Sequence, residues 1–147
     1  MFRGQFLHSV DAKGRISLPA RFRELLHVQG HGRFVLTPDL FDPCLHMYPL
    51  AEWERLEAKV AELPRFDANV VRFRRQYVSA ALECELDKAG RVLVPTHLRE
   101  RTELSKEALW AGCGHYVELW SKPRFDESLE APDSDLQAFK EAVGQIL

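Results

Sequence analysis

Two short motifs join an aspartate, a glycine and an arginine at spacings suited to a tight turn that presents positive charge. The first runs Asp11-Ala-Lys-Gly14-Arg15, and the second runs Asp87-Lys-Ala-Gly90-Arg91. An Asp side chain accepts hydrogen bonds from loop N–H groups, and Gly adopts the positive φ that other residues resist. An arginine held there can bind a phosphate or a guanine edge. We therefore predict structural roles for Asp11, Gly14, Asp87 and Gly90, and nucleic-acid contact for Arg15, Arg91, Lys13 and Lys88.

The same motifs allow a second interpretation, in which Asp and Arg pair within each turn and only hold it together. The two interpretations are compatible, because a rigid turn presents an arginine in a fixed geometry. A third group of cations, Arg72, Arg74 and Arg75, forms either a strip that contacts phosphate, or a solvated helix face, or a set of pairs with acids such as Glu54 and Glu57. For this strip the solvated face or the acidic pairs are favoured over contact with phosphate.

Charge is unevenly distributed along the chain, although the net charge is only −2. Residues 1–38 contain six Lys/Arg and two Asp/Glu, whereas residues 118–147 contain three Lys/Arg and seven Asp/Glu. This asymmetry lets one face meet phosphate while another meets solvent or a partner subunit.

The two motifs belong to an internal repeat. Residues 11–24 recur at 87–100, an offset of 76, with Asp, Gly, Arg, Pro, Arg and Glu at identical spacing. A fainter match follows at an offset of 72, between 45–48 and 117–120, and it pairs Trp53 with Phe125. The change of offset predicts a length difference in the connecting loop. The repeat predicts two similar halves related by pseudo-two-fold symmetry, since equivalent sequences bury equivalent faces.

The pattern of each copy predicts a strand, a turn, a second strand, a helix and a further pair of strands. Apolar and alternating runs predict strands at 2–10, 16–18, 33–37, 44–48, 78–86, 92–94, 108–111 and 116–120. Prolines at helix starts and apolar residues at helical spacing predict helices at 20–26, 50–63, 96–104 and 122–129. Asp67 is the expected N-cap of another helix, and a break at 131–135 precedes a helix over 136–147.

These elements suggest four segments. Residues 1–63 form the first repeat, 64–76 a helical connector, 77–130 the second repeat and 131–147 a C-terminal helix. The aromatic set is expected in the core or at a subunit interface rather than as a base-stacking platform; it comprises Trp53, Trp110, Tyr116, Trp120 and Phe125.

Several functional classes find no support in the sequence. It contains no phosphate-binding Gly-rich loop, no Gly-x-Ser-x-Gly elbow and no His-Glu-x-x-His, so we expect neither an enzyme nor a cofactor. Cys113-Gly-His115 lacks further ligands at metal-binding spacing, and no metal site is predicted. The three dispersed cysteines fit reduced thiols. No apolar run could cross a membrane and no signal peptide is recognisable, which predicts a cytoplasmic protein with no membrane partner.

The paired Asp-x-x-x-Arg motifs and the opening Met1-Phe2-Arg3-Gly4 resemble the MraZ family, over nearly the whole chain. Each half also resembles the swapped-hairpin DNA-binding unit of AbrB and MazE-type antitoxins. The resemblance implies an α+β fold of duplicated, interlocked β-hairpin or barrel units with short helices. It also implies DNA contact by an arginine that follows the proline in each copy, which matches Arg23 and Arg99.

The resemblance further implies a function and an assembly. The expected protein is a nucleoid-associated transcriptional regulator, acting as a repressor, that binds double-stranded DNA as a ring-like homo-oligomer. Its expected operator consists of short G-rich direct repeats upstream of its own division and cell-wall gene cluster. Two rivals remain: an antitoxin-like module that mainly binds a protein partner, for which only residues 130–147 could serve as a tail, and a purely structural ring-forming protein.

Overall fold

The computed structural model describes residues 1–130 and 132–147, which form an α+β fold. The strands are β1 (Gln5–Ser9), β2 (Arg15–Ser17), β3 (Arg33–Pro38), β4 (Leu45–Pro49), β5 (Leu82–Glu85), β6 (Arg91–Leu93), β7 (Glu107–Gly112) and β8 (Val117–Ser121). The helices are α1 (Ala20–Gly30), α2 (Leu50–Ala61), α3 (Ala68–Phe73), α4 (Thr96–Thr102), α5 (Lys122–Ser128) and α6 (Asp133–Ile146). The expected fold class is confirmed.

The strands exchange between the two copies. Six of them form an antiparallel sheet in the order β1-β7-β8-β4-β3-β5, and β2 pairs with β6 in a separate ribbon. The first strand of each copy therefore lies against the hairpin of the other copy, because β1 pairs with β7 and β5 pairs with β3. Neither copy completes its sheet alone, so the two halves form one interlocked unit.

A pseudo-two-fold axis passes through both sheets. In the ribbon, Ile16 lies opposite Val92, and these residues are equivalent at the offset of 76. In the large sheet, His46 lies opposite Glu118, and these are equivalent at the offset of 72. Two independent strand pairs thus centre on equivalent residues, as the repeat predicted.

The core is shared by both copies. Side chains from the two halves pack in one cluster, which includes Phe2, Phe22, Leu36, Val94, Leu98, Trp110 and Leu119. Trp110 on β7 is fully buried, and its indole Nε1 donates a hydrogen bond to the carbonyl oxygen of Ser17 at 2.9 Å. This bond joins the large sheet to the end of β2. The ribbon is therefore held by buried contacts as well as by its own ladder.

The aromatic and cysteine predictions can now be placed. Trp53, Trp110, Trp120 and Phe125 are buried, whereas Tyr116 is half-buried and stacks on Tyr48 with 5.4 Å between ring centroids. All three cysteines are free thiols, of which Cys44 is buried, Cys84 half-buried and Cys113 exposed.

Several predicted boundaries were wrong in the first half. The strand expected over 2–10 is shortened to β1 because Gly4 has a φ of +101°, which breaks the extended chain. Helix α1 was expected to end at residue 26 but continues to Gly30. His31 ends it in the left-handed conformation and donates its N–H to the carbonyl of Leu26. The helix predicted over 50–63 ends at Ala61.

Boundaries in the connector and the second half also required correction. Asp67 does cap α3, since its carboxylate accepts hydrogen bonds from the N–H groups of Asn69 and Val70. That helix continues as a π-helical turn over Arg74–Val78, where a strand was expected to begin. The Tyr77 carbonyl accepts a hydrogen bond from the buried Thr37 hydroxyl at 2.7 Å, which holds this turn against β3. Helix α4 ends at Thr102 rather than 104, where Glu103 has a φ of +57°.

The predicted break at 131–135 was wrong where it can be assessed. Helix α6 begins at Asp133, and Leu136 donates its N–H to the carbonyl of Pro132 at 3.1 Å. Ala131 lies outside the described residues.

The length difference between the copies was expected in one connecting loop, but it is divided between two loops. The offset is 76 at β2, 74 where β3 and β7 begin, and 72 at β4, so two residues differ before β3 and two in the following hairpin loop.

Candidate nucleic-acid interface

The β2–β6 ribbon has a buried apolar inner face and an outer face that carries both motif arginines. Ile16 and Val92 point inward and are fully buried. Because neighbouring side chains on a strand point to opposite faces, the flanking residues point outward. They are Arg15 and Ser17 on β2, and Arg91 and Leu93 on β6. Register places Arg15 opposite Leu93 and Ser17 opposite Arg91, so both motif arginines lie on one surface of the ribbon.

The first motif forms a turn closed by its own aspartate. Asp11 Oδ1 accepts hydrogen bonds from the N–H groups of Lys13 and Arg15, both at 2.9 Å. Asp11 Oδ2 accepts a hydrogen bond from Arg15 Nε at 2.6 Å. Gly14, with a φ of +85°, donates its N–H to the Asp11 carbonyl. The aspartate thus fixes both the backbone and the first part of the arginine side chain.

The second motif repeats this geometry bond for bond. Asp87 Oδ1 accepts from the N–H groups of Ala89 and Arg91 at 2.9 Å, and Oδ2 accepts from Arg91 Nε at 2.8 Å. Gly90 has a φ of +76° and donates its N–H to the Asp87 carbonyl. The internal Asp–Arg pairing considered from the sequence is present in both copies. In the first copy this pairing uses Arg15 Nε, and the outer guanidinium nitrogens of Arg15 have no protein partner among the described residues.

These bonds determine the charge state of the loops. The N–H of Arg15, followed by its side chain and the N–H of Lys13, lowers the pKa of Asp11 to about 2. The equivalent bond from the Arg91 N–H, with the Arg91 side chain, lowers the pKa of Asp87. Each loop therefore keeps its carboxylate ionised and paired.

Arg23 and Arg99, at equivalent positions of the repeat, each support the turn of the other copy. A methyl group placed on Gly14 would lie 2.5 Å from Arg99 Nε, and one on Gly90 would lie 2.8 Å from Arg23 Cδ. Arg23 donates to the carbonyl of Leu18 at 2.9 Å, and Arg99 donates to that of Val94 at 3.0 Å. Each of these half-buried arginines therefore spans from its own helix to the opposite turn.

Other cations surround the two loops. Lys13 and Lys88 lie at the exposed tips. A groove beside the second loop is lined by Arg23, His27, His31 and Lys88, together with Arg33. Arg33 is paired with Glu83 at 2.8 Å, which reduces its contribution to the field. The two histidines escaped the sequence analysis because they come after the predicted end of α1, at residue 26.

In the strip over residues 72–75, two arginines are exposed, which agrees with a solvated helix face. Arg74 donates to the carbonyl of Val60 at 2.9 Å, and Arg72 and Arg75 are exposed. No ion pair between described residues joins these arginines to Glu54 or Glu57. The strip lies on α3 and the π-helical turn that follows it, and it is not part of the β2–β6 ribbon.

Cys113 and His115 do not form a shared site. His115 Nδ1 is 3.7 Å from a Glu52 oxygen, whereas the Cys113 thiol donates to the Ala111 carbonyl. A different set of ligand-type atoms does converge, from Asp39, Cys44 and His46. It was missed because loop 39–44 and β4 bring together residue types with no recognised metal-binding spacing.

A duplicated strand-turn-strand-helix unit with exchanged strands and two Asp-Arg turns on one ribbon defines the AbrB-like class of swapped-hairpin folds. Within that class, the chain belongs to the MraZ family. The model of the family described as "MraZ protein, putative antitoxin-like" matches residues 1–76 and 78–144. The resemblance noted from the motifs is thereby confirmed.

Relatives match over almost their entire length. The chain is 42% identical to "Transcriptional regulator MraZ" of Azotobacter vinelandii over 146 residues, which cover 99% of this chain and 94% of that protein. The protein of the same name from Desulfitobacterium hafniense is 44% identical, with 97% of each chain covered. That of Desulforamulus reducens is 41% identical over all 147 residues. None of the helices in the described parts of this chain is long and apolar enough to span a membrane.

Proposed function

We propose that the protein is a sequence-specific, DNA-binding transcriptional regulator and not an enzyme, and that the outer face of the β2–β6 ribbon contacts the DNA. The observation that carries the proposal is the placement of Arg15 and Arg91 on that face in two matched turns. The relatives named as transcriptional regulators support the general function.

The chemistry of the ribbon suits a duplex. Residues 11–24 and 87–101 each contain four Lys/Arg and two Asp/Glu, which favours attraction to phosphate. Because Asp11 holds Nε, the outer nitrogens of Arg15 can form a bidentate bond with guanine O6 and N7. Arg23 and Arg99 fix the turns through their contacts at Gly90 and Gly14, and they contact phosphate where their guanidinium groups reach the surface. Lys13 and Lys88 supply further phosphate contacts.

The proposed assembly is a ring-like homo-oligomer. One chain offers two arginine-bearing turns, which is a small contact area for a specific operator. A ring would align several ribbons, and short G-rich direct repeats at a matching spacing would then be bound with a gain in effective concentration. We place these repeats upstream of the protein's own division and cell-wall gene cluster, with repression as the outcome and the nucleoid as the location.

Salt-dependent binding to the upstream region tests the proposal. Labelled upstream DNA and a scrambled duplex of the same composition are titrated with the full chain at several salt concentrations. We expect tighter binding to the upstream DNA and a linear fall of log affinity with log salt, since phosphate neutralisation releases counterions. Equal affinity for both duplexes would contradict sequence specificity.

The family description and the exposure of α6 favour one second candidate, an antitoxin-like module that binds a protein. The exposed apolar side chains of α6 include Leu136, Phe139 and Ile146. Deletion of 132–147 separates the two functions. It should leave DNA affinity unchanged if the ribbon binds DNA, and it should abolish capture of a protein partner if α6 is the binding element.

A further inference from the structure

A buried polar cluster lies at the other end of the pseudo-two-fold axis, on the large sheet. Its centre is His46 on β4, which is 7% exposed. His46 Nε2 is 3.1 Å from Asp39 Oδ1 and 3.5 Å from Glu118 Oε2, yet neither oxygen forms a hydrogen bond with it. The Cys44 thiol, 1% exposed, lies 3.9 Å from the same Glu118 oxygen. Ligand-type atoms of Asp39, Cys44 and His46 all lie within 4.8 Å of one another.

From this arrangement we propose that the protein binds a structural zinc ion through Asp39, Cys44 and His46, with Glu118 as the fourth ligand. Zinc prefers sulfur, imidazole nitrogen and carboxylate oxygen in a closed tetrahedral site. Its usual bond lengths place nitrogen and oxygen ligands about 3.4 Å apart, and sulfur and oxygen about 3.6 Å apart. Three of the six separations among the four ligand atoms, 3.1, 3.5 and 3.9 Å, differ from these values by a few tenths of an ångström, and the separations of Cys44 from Asp39 and from His46 lie within 4.8 Å.

A second contact holds three of the four ligands, Asp39, His46 and Glu118, so that the free atom of each faces the cluster. Asp39 Oδ2 accepts from the N–H groups of Phe41 and Asp42, at 3.1 and 2.6 Å. His46 Nδ1 is 2.6 Å from the hydroxyl of Tyr77, which leaves Nε2 directed at the carboxylates. Glu118 Oε1 accepts from Trp120 Nε1 at 3.1 Å. Such outer contacts set the orientation and tautomer of ligands in metal sites.

Charge favours a cation at this position. Asp39 and Glu118 carry two negative charges beside one imidazole, and no Lys or Arg of the described residues pairs with either carboxylate. On binding, the Cys44 thiol loses its proton to solvent and coordinates as a thiolate.

The site occurs once in each chain although the fold is duplicated. The position equivalent to His46 is Glu118, and the position equivalent to Cys44 is Tyr116. The two copies therefore contribute different ligands to one site on the axis. Because three ligands come from the first copy and Glu118 from the second, the ion joins the two halves across the central β4–β8 pair.

Cobalt substitution tests the proposal with the full-length protein. After chelator treatment, Co²⁺ should bind at one ion per chain and give a thiolate-to-cobalt charge-transfer band, and Zn²⁺ should displace it. Cys44→Ser should abolish the band, whereas Cys84→Ser, the matched control on β5, should retain it. Tyr77→Phe, which removes the hydroxyl beside His46 Nδ1 and with it a bond to the Tyr48 hydroxyl, should weaken binding by about tenfold to a hundredfold.

Far-UV circular dichroism establishes that each variant is folded, and thermal unfolding gives an independent measurement. Zn²⁺ should raise the Tm of the parent and of Cys84→Ser, but not that of Cys44→Ser, because a ligand stabilises the state that binds it. Failure of the parent protein to bind Co²⁺ at one ion per chain would overturn the proposal. A charge-transfer band that persists in folded Cys44→Ser would overturn it as well.

Discussion

The side chain of Arg99 lies against Gly14, which belongs to the turn of the other copy, and Arg23 lies against Gly90 in the equivalent position. The two repeats are therefore interdependent at the surface as well as in the sheet. Each turn is closed by its own aspartate but is supported by an arginine from the opposite helix. A change in one copy should accordingly alter the turn of the other.

Gly14→Ala should destabilise the protein. A left-handed conformation costs a non-glycine residue about 1–3 kcal/mol, and the new methyl group would also displace Arg99. Urea denaturation measures the loss in free energy of unfolding. In an Arg99→Ala background the loss should be smaller, because only the backbone strain remains. Gly144→Ala is the control, since nothing lies near Gly144, and it should be neutral or stabilising.

The sequence allowed prediction of those parts of the fold that depend on local pattern. The repeat located both turns and the pseudo-two-fold relation, and Asp67 was recognised as a helix cap. Errors occurred where tertiary contacts override local preference. The π-helical turn at Tyr77 follows from the bond to Thr37, forty residues away in sequence. The cluster at His46 needs Glu118 from another strand, and no local spacing reveals that pairing.

Trp110→Phe should weaken the attachment of the ribbon to the large sheet. The substitution leaves the Ser17 carbonyl without its donor and creates a cavity at a fully buried position. An unsatisfied buried polar group alone costs about 1–3 kcal/mol. Urea denaturation should show a loss at least this large. Val28→Ala, at an exposed site on α1, should change stability by less than about 0.5 kcal/mol.

The acid stability of the turns should depend on Asp11. Its pKa in the folded protein is about 2, below the ordinary value of 3.8. The carboxylate therefore contributes stability that is complete above pH 3.8 and is lost as the pH falls through about 2. NMR titration of the Asp11 carboxyl carbon should give a midpoint near 2. Arg15→Gln should raise this midpoint but leave it below 3.8, because the hydrogen bonds from the backbone N–H groups of residues 13 and 15 remain.

Arg15→Ala should weaken operator binding by about 1–3 kcal/mol if the side chain reads a guanine, which is the range for a bidentate base contact. Arg15→Lys separates charge from geometry, since lysine can replace a phosphate contact but cannot form the planar pair of bonds. If Arg15 contacts only phosphate, Arg15→Ala should weaken binding to operator and scrambled DNA together and lower the salt slope by about one. Arg91→Ala should act in the same direction but less strongly, because Glu83 and Glu85 lie nearby in the sequence.

Titration of both duplexes at several salt concentrations measures these effects, with light scattering to establish the size of the oligomer for every variant. We expect an assembly larger than a dimer, and a monomer at micromolar concentration would contradict the ring. Lys59→Ala on α2 is the matched control, because it removes one exposed positive charge outside the ribbon. If Arg15→Ala and Arg91→Ala leave affinity and salt slope unchanged in intact oligomers, the ribbon is not the interface. A loss of affinity in Arg72→Ala would then assign DNA contact to the strip on the helical connector.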